Sequence, residues 1–285
     1  MSIRLTRNGD VEIAYEAFGS APGRPLLLIH GAGAPMQGWA DEFCAALVDR
    51  GFHVARCDNR DAGRSSRATK PYTLADMATD GLAVLDAVDW PAAHVVGVSL
   101  GGMIGQVMAA RHPDRVLSLT SMCSAPDASL RRTGIGTMLR IAALTWRKPS
   151  GPRAAGERLV EVHRLIGSTG HPRDEDWMRR VGSEGHAHRT DLAAARRQAA
   201  AARASGDRRA ELATITAPTL VLSGEADPVQ PPRAGKATAD AIPEARFTTY
   251  PGMGHDLPPA LWPAIIDDID AIATTPHRGG GTSTA

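Results

Sequence analysis

The chain has 285 residues, 43% hydrophobic and 22% charged, a balance that suits one large globular unit or such a unit with an insertion. Its 32 lysines and arginines nearly match 31 acidic residues, so no overall field favours nucleic acid or an anionic membrane surface, and neither is expected as a partner. Cys44, Cys57 and Cys123 are odd in number, scattered through apolar segments and never in C-x-x-C spacing, so they read as reduced core residues.

Taken in chain order, the first 19 residues lack the continuous apolar stretch and small-residue cleavage site of a secretory leader, and a cytoplasmic location is the expectation. "RLTRNGDVEIAYEAFG" reads as two strands around a tight turn at Asn8-Gly9-Asp10. Then come "PLLLIH" from Pro25, "FHVARCD" from Phe52, "AHVVGV" from Ala93, "RVLSLTSM" from Arg115, "APTLVLS" from Ala217 and "ARFTTY" from Ala245. These runs are apolar without alternation, as strands covered on both faces are, which predicts a mainly parallel sheet. Trp39, Phe43 and Leu47 recur at four-residue spacing before Gly51 and predict a helix; others are expected near Leu74 to Val88 and Leu261 to Ala273. The long apolar stretch Val95 to Ala110 is shorter than a span of about 20 residues and carries Ser99, Gln106 and four glycines, so no membrane span is expected.

From Pro126 to Glu211 the rhythm stops. This segment has no clear strand and reads as Ala- and Arg-rich helices broken at "KPSGP" and "GSTGHPRDED". Its 17 lysines and arginines against 10 acidic residues give +7, set against −6 elsewhere, so it is either a solvated charged helical surface or an anion-attracting lid. The expected organisation is a core over 1–125 and 213–274, a helical cap over 126–212, and a disordered tail over 275–285, where apolar residues are too few to pack.

Gly97-Val98-Ser99-Leu100-Gly101 fits G-x-S-x-G with an apolar strand before it and a helix after it, the context of a nucleophile elbow. Glycines suit the sharp turn, and the following helix start favours developing negative charge beside Ser99. A serine hydroxyl needs a base, and of ten histidines His255 stands in the glycine-rich loop "PGMGHDLP" after the last strand. His30, by contrast, closes its strand and shapes a turn. Asp227 in "GEADP" would orient the imidazole, with Asp127 past the neighbouring strand as its rival; Glu225 and Asp256 read as local turn or surface charges. Backbone N–H groups of Leu100 and of Ala32 in "HGAG" are placed for an oxyanion hole. Met36, Met103 and Met253 stand beside these motifs as candidates for an adaptable substrate-binding lining, with core packing as the equal alternative.

With "HGAG", "CDNRDAGRSS", "GVSLGG", "GEADP" and "GMGH" in that order, the chain resembles the α/β-hydrolase family over about Asp10 to Ala125 and Ala213 to Trp262. The stretch Asp58 to Ser65 looks like the loop of bacterial esterases related to the anthracycline (aclacinomycin-type) methylesterases, whose members cleave a methyl ester on a polycyclic aglycone. The resemblance implies a mainly parallel eight-stranded sheet with helices on both faces and an inserted helical cap. It implies the triad Ser99, Asp227 and His255, with Ala32 and Leu100 at the oxyanion hole, and a small-molecule ester as substrate. A serine rather than a carboxylate nucleophile points to acyl chemistry and away from haloalkane dehalogenases and typical epoxide hydrolases. A carbon–carbon bond hydrolase or a cofactor-free perhydrolase would use an almost identical triad, and a non-catalytic small-molecule receptor is the reading from another class. No metal or organic cofactor is expected, and the oligomeric state is left unassigned.

Overall fold

Strands β1 (Arg4–Asn8) and β2 (Val11–Phe18) pair antiparallel through a two-residue turn whose Gly9 adopts φ +60°, a left-handed geometry that a side chain would resist. The computed structural model describes residues 2–128, 135–146, 148–188 and 192–276; from residue 277 onward the expected disordered tail lies outside them. Next in the chain are β3 (Arg24–Ile29), α1 (Asp41–Asp49), β4 (Phe52–Cys57), α2 (Leu74–Ala87), β5 (Ala93–Val98), α3 (Leu100–Arg111) and β6 (Val116–Met122). Five helices follow: α4 (Ile135–Thr145), α5 (Pro152–Ile166), α6 (Glu175–Ala187), α7 (Leu192–Ala204) and α8 (Arg209–Leu212). The chain ends with β7 (Thr219–Gly224), α9 (Pro232–Ala241), β8 (Arg246–Tyr250) and α10 (Trp262–Ala273).

The eight strands form one sheet in the order β1-β2-β4-β3-β5-β6-β7-β8, antiparallel at β1/β2 and β2/β4 and parallel thereafter. Successive side chains of a strand face opposite ways. Leu26 and Leu28 of β3 therefore enter the core that Phe43, Leu47, Ile265 and Ile269 build from α1 and α10. Leu27 and Ile29 enter the other core, with Met77 and Leu85 of α2 and Ile104 and Val107 of α3. Burial on both faces is why these strands read as unbroken apolar runs. All three cysteines are buried and free. Among the described residues, no helix is long and apolar enough to cross a membrane.

Two expectations change in detail. The helix predicted from Trp39 starts at Asp41, because Trp39 follows the short 3₁₀ turn Met36–Gly38; its ring still stacks on Phe43, 5.6 Å between centroids, which reproduces the helical spacing without the helix. Residues 126–212 contain no strand among the described ones, and part of their positive surplus is paired. Arg164 and Arg179 on α5 and α6 engage Glu161, Glu175, Glu157 and Asp176 at exposed sites, where solvent and salt screen such pairs and they add little stability.

One buried polar pair within the sheet sets an acid limit. His94 on β5 is 6% exposed and shares a 2.8 Å hydrogen bond with the Ser118 hydroxyl of β6. Burial lowers its pKa from 6.5 to about 4, Arg24 pushes the same way and Asp270 opposes. The folded chain keeps this imidazole neutral where the unfolded chain protonates it. Stability is therefore full above pH 6.5 and falls as pH drops towards 4, by roughly 3 kcal/mol at most for this group. His94→Gln, which can still bond Ser118, is expected to lose less stability between pH 7 and 4.5 in urea titrations. Parallel losses in both proteins would contradict that origin.

Candidate active site

Ser99 joins β5 to α3 at φ +57° and ψ −116°, a conformation rarely populated outside glycine and held only where the surroundings dictate it. The surroundings are close: a Cβ at Gly97 would collide with the Gly101 carbonyl, and one at Gly101 with the Ile29 carbonyl oxygen. The Ser99 N–H donates to the Met122 carbonyl at 2.8 Å, and the Ser99 carbonyl accepts from the Ser124 hydroxyl at 2.8 Å. Locked in this way, the serine hydroxyl stands at the N-terminus of α3, whose first amides have no carbonyl one turn earlier to bond.

The two other predicted side chains reach it from distant loops. His255 Nε2 lies 3.1 Å from Ser99 Oγ, and His255 Nδ1 lies 2.7 Å from Asp227 Oδ2. The remaining oxygen of Asp227, Oδ1, accepts from the Val229 and Gln230 N–H groups at 2.7 and 2.8 Å, so the carboxylate cannot swing away from the ring. Asp227, not its rival Asp127, is the acid against His255. With Nδ1–H donated to a carboxylate, Nε2 presents its lone pair to the serine proton.

The loop that carries Ala32 also reaches Ser99, the residue before Leu100. The 30–33 loop lies against the serine, since a Cβ at Gly31 would stand 3.3 Å from Ser99 Cβ and 3.8 Å from Oγ. The loop is pinned at both ends. The Gly31 N–H donates to His30 Nδ1 at 2.7 Å, Asn59 Nδ2 donates to the His30 carbonyl at 2.9 Å, and the Gly33 N–H donates to Gln198 Oε1 at 2.6 Å. Desolvation pushes His30 down to about 4, against a backbone contact at Gly38, and it stays neutral as a structural ring should. In the neighbouring 58–65 loop, buried Asp58 accepts from the Met36 N–H at 2.6 Å and the Arg64 N–H at 2.8 Å, so this stretch braces the 30–38 segment.

A cavity of about 250 Å³ opens beside His255. Trp39, Phe43, Trp177 and Trp262 give it aromatic walls, while His30 and His163 add polar edges. The His163 imidazole shares a 2.9 Å hydrogen bond with the Leu159 carbonyl through Nδ1, and burial lowers its pKa, so it is neutral there. Met36, Met103 and Met253 do not line this cavity; they are 0%, 3% and 0% exposed, packed into the core. Met178 of α6 lines it instead.

The cap segment was invisible as a partner of the base. The His255 N–H donates to the Ile166 carbonyl at 2.8 Å, and the Gly254 N–H donates to the Ser168 hydroxyl at 3.0 Å. Asp256, read from sequence as a local or surface charge, accepts from the Ser168 N–H at 2.8 Å and from its hydroxyl at 2.5 Å. It therefore ties the histidine loop to the cap. Gln198 was missed too, although a glutamine on the buried Ala194, Ala201 and Ala202 face of α7 is a sequence signal: a polar group there needs partners.

One group among the described residues could gather round a metal ion: ligand atoms of Cys123, Asp227 and His255 lie within 4.8 Å of one another. The donor set fits poorly. Burial raises the Cys123 thiol well above its ordinary range, and the Asp227 oxygens are already engaged by two amides and the imidazole.

A family described as alpha/beta hydrolase fold matches residues 24–258. Rhodomycin D methylesterase DauP of Streptomyces sp. (strain C5) is 37% identical over 283 residues, covering 92% of this chain and 94% of that protein. Rhodomycin D methylesterase DnrP of Streptomyces peucetius is 36% identical over 289 residues, with coverage of 92% and 94%. A solved hydrolase from Pseudomonas aeruginosa PA01 superposes with a TM-score of 0.76 at 28% identity, covering 96% of this chain and 98% of that one.

Proposed function

This chain belongs to the alpha/beta hydrolase fold family, and on that premise we propose that it hydrolyses a methyl ester on a flat, aromatic-rich carboxylic acid through a serine acyl-enzyme. The observation that carries the reading is the continuous path from Asp227 Oδ2 through His255 to Ser99 Oγ, 2.7 and then 3.1 Å. Ser99 attacks the ester carbonyl while His255 Nε2 takes its proton. The tetrahedral oxyanion is met by the N–H groups of Ala32 and Leu100, each such donor contributing about 2.7–4 kcal/mol of transition-state stabilisation. Collapse expels methoxide, which leaves as methanol with the proton returned by His255. Water then repeats the cycle on the acyl-enzyme, with His255 again as base, and frees the acid. Asp227 keeps one tautomer in place and stabilises the imidazolium without taking the proton.

The aromatic walls beside His255 support the substrate side, since tryptophan faces offer large contact area to a planar ring system. The relatives named for rhodomycin D methylesterase activity support the methyl leaving group. The test is a panel of p-nitrophenyl acetate to octanoate beside methyl esters of polycyclic aromatic acids, scored by kcat/KM and methanol release. Preference for the aromatic methyl esters is expected; hydrolysis of short acyl chains alone would contradict the substrate class. Trp177→Ala is expected to raise KM for the aromatic methyl ester about tenfold while p-nitrophenyl acetate is barely affected. Equal changes in both would remove Trp177 from the substrate wall.

A further inference from the structure

The peptide carrying the Ala32 N–H is held between two fixed neighbours. On one side, His30 Nδ1 and Asn59 Nδ2 bond the Gly31 N–H and the His30 carbonyl at 2.7 and 2.9 Å. On the other, the contact comes from the cap: Gln198 Oε1 accepts from the Gly33 N–H at 2.6 Å while its Nε2 donates to the Arg60 carbonyl at 2.7 Å. Gln198 is 0% exposed, and its primary amide accepts from an amide N–H through one atom while donating to a carbonyl through the other. Gly33 adopts φ +71°, and a Cβ there would lie 3.2 Å from Ala195 Cβ, so α7 also presses directly on the loop. A planar peptide fixed at its N–H is fixed throughout, which limits the torsions that aim the Ala32 N–H. Beside it, Arg197 docks the same helix by a separate device, a fork onto Asp61 at 2.8 and 2.6 Å.

We propose that Gln198 is a positioning residue for ester hydrolysis: by clamping Gly33 it aims the Ala32 N–H at the developing oxyanion, so that the cap helix α7 completes the transition-state site. This inference rests on the hydrolase reading above. Because the ground-state ester carbonyl needs the donor less than the oxyanion does, losing the clamp acts on kcat and not on KM.

The experiment compares wild type with Gln198→Leu, Gln198→Glu and Arg197→Gln for p-nitrophenyl acetate kinetics, inhibition by an aryl trifluoromethyl ketone, whose adduct carries an oxyanion, and thermal melting. Gln198→Leu is expected to lower kcat about 10- to 100-fold with KM nearly unchanged, and to weaken the ketone by the same factor. Gln198→Glu keeps an acceptor for Gly33 but, ionised, sets a second oxygen against the Arg60 carbonyl that Nε2 now meets as a donor, so it is expected to recover only part of both. Arg197→Gln is expected to lower the melting temperature with a much smaller effect on kcat and on the ketone. Wild-type kcat in Gln198→Leu, a loss confined to KM, or an equal kinetic loss in Arg197→Gln would overturn the proposal. If Gln198→Leu fails to fold, Gln198→Asn, one methylene too short to reach the Gly33 N–H, takes its place, and wild-type kcat and ketone affinity in that variant overturn the proposal as well. Wild type that neither hydrolyses the ester nor binds the ketone would instead overturn the hydrolase reading itself.

Discussion

Replacing Ser99 by alanine is expected to lower kcat towards any ester by about 10⁴- to 10⁶-fold, the range seen when a serine hydrolase loses its nucleophile. The loss falls on chemistry because, among the described residues, Ser99 Oγ is the hydroxyl that His255 Nε2 meets. Stability is expected to change little. The positive φ of Ser99 is strained for serine and for alanine alike, and its backbone contacts to Met122 and Ser124 survive the substitution. Steady-state kinetics and a thermal melt on one preparation check both halves. Turnover within about tenfold of wild type would remove the serine from the reaction.

Asp227→Asn is expected to cost about 10²- to 10⁴-fold in kcat with little change in KM. The Val229 and Gln230 N–H groups need an acceptor, so the asparagine oxygen turns towards them and its NH₂ faces His255 Nδ1. Two donors then oppose each other unless the ring moves its proton to Nε2, where it can no longer accept from Ser99. Asp127→Asn serves as the comparison, and its kcat should stay near that of wild type. If Asp127→Asn carried the loss and Asp227→Asn did not, the acid would have to come from the other strand end.

Much of this was legible in the chain because it depends on contacts close in sequence. Alternation hidden inside "PLLLI" sends Leu26 and Leu28 to one core and Leu27 and Ile29 to the other, and two glycines around Ser99 mark a turn where backbone meets backbone. The order of serine, acid and histidine motifs then named the three side chains that meet. What was not legible crosses long intervals. The Gly33 N–H finds its acceptor at Gln198, and Asp256 holds Ser168, contacts that no local pattern announces. The methionines stayed even between two readings, because an unbranched thioether fills a core as readily as it lines a pocket, and here Met36 and Met253 are sealed in the core. Trp39 kept the helical beat while standing outside the helix, since a 3₁₀ turn can bring a ring into the same register.

Whether Ser99 is an activated nucleophile is read from intact-mass and peptide analysis after treatment with a fluorophosphonate. One adduct per chain is expected, on the peptide containing Ser99, absent in Ser99→Ala and formed far more slowly in His255→Ala. An adduct of undiminished yield in Ser99→Ala, or one on a different serine of the wild-type chain, would contradict that role.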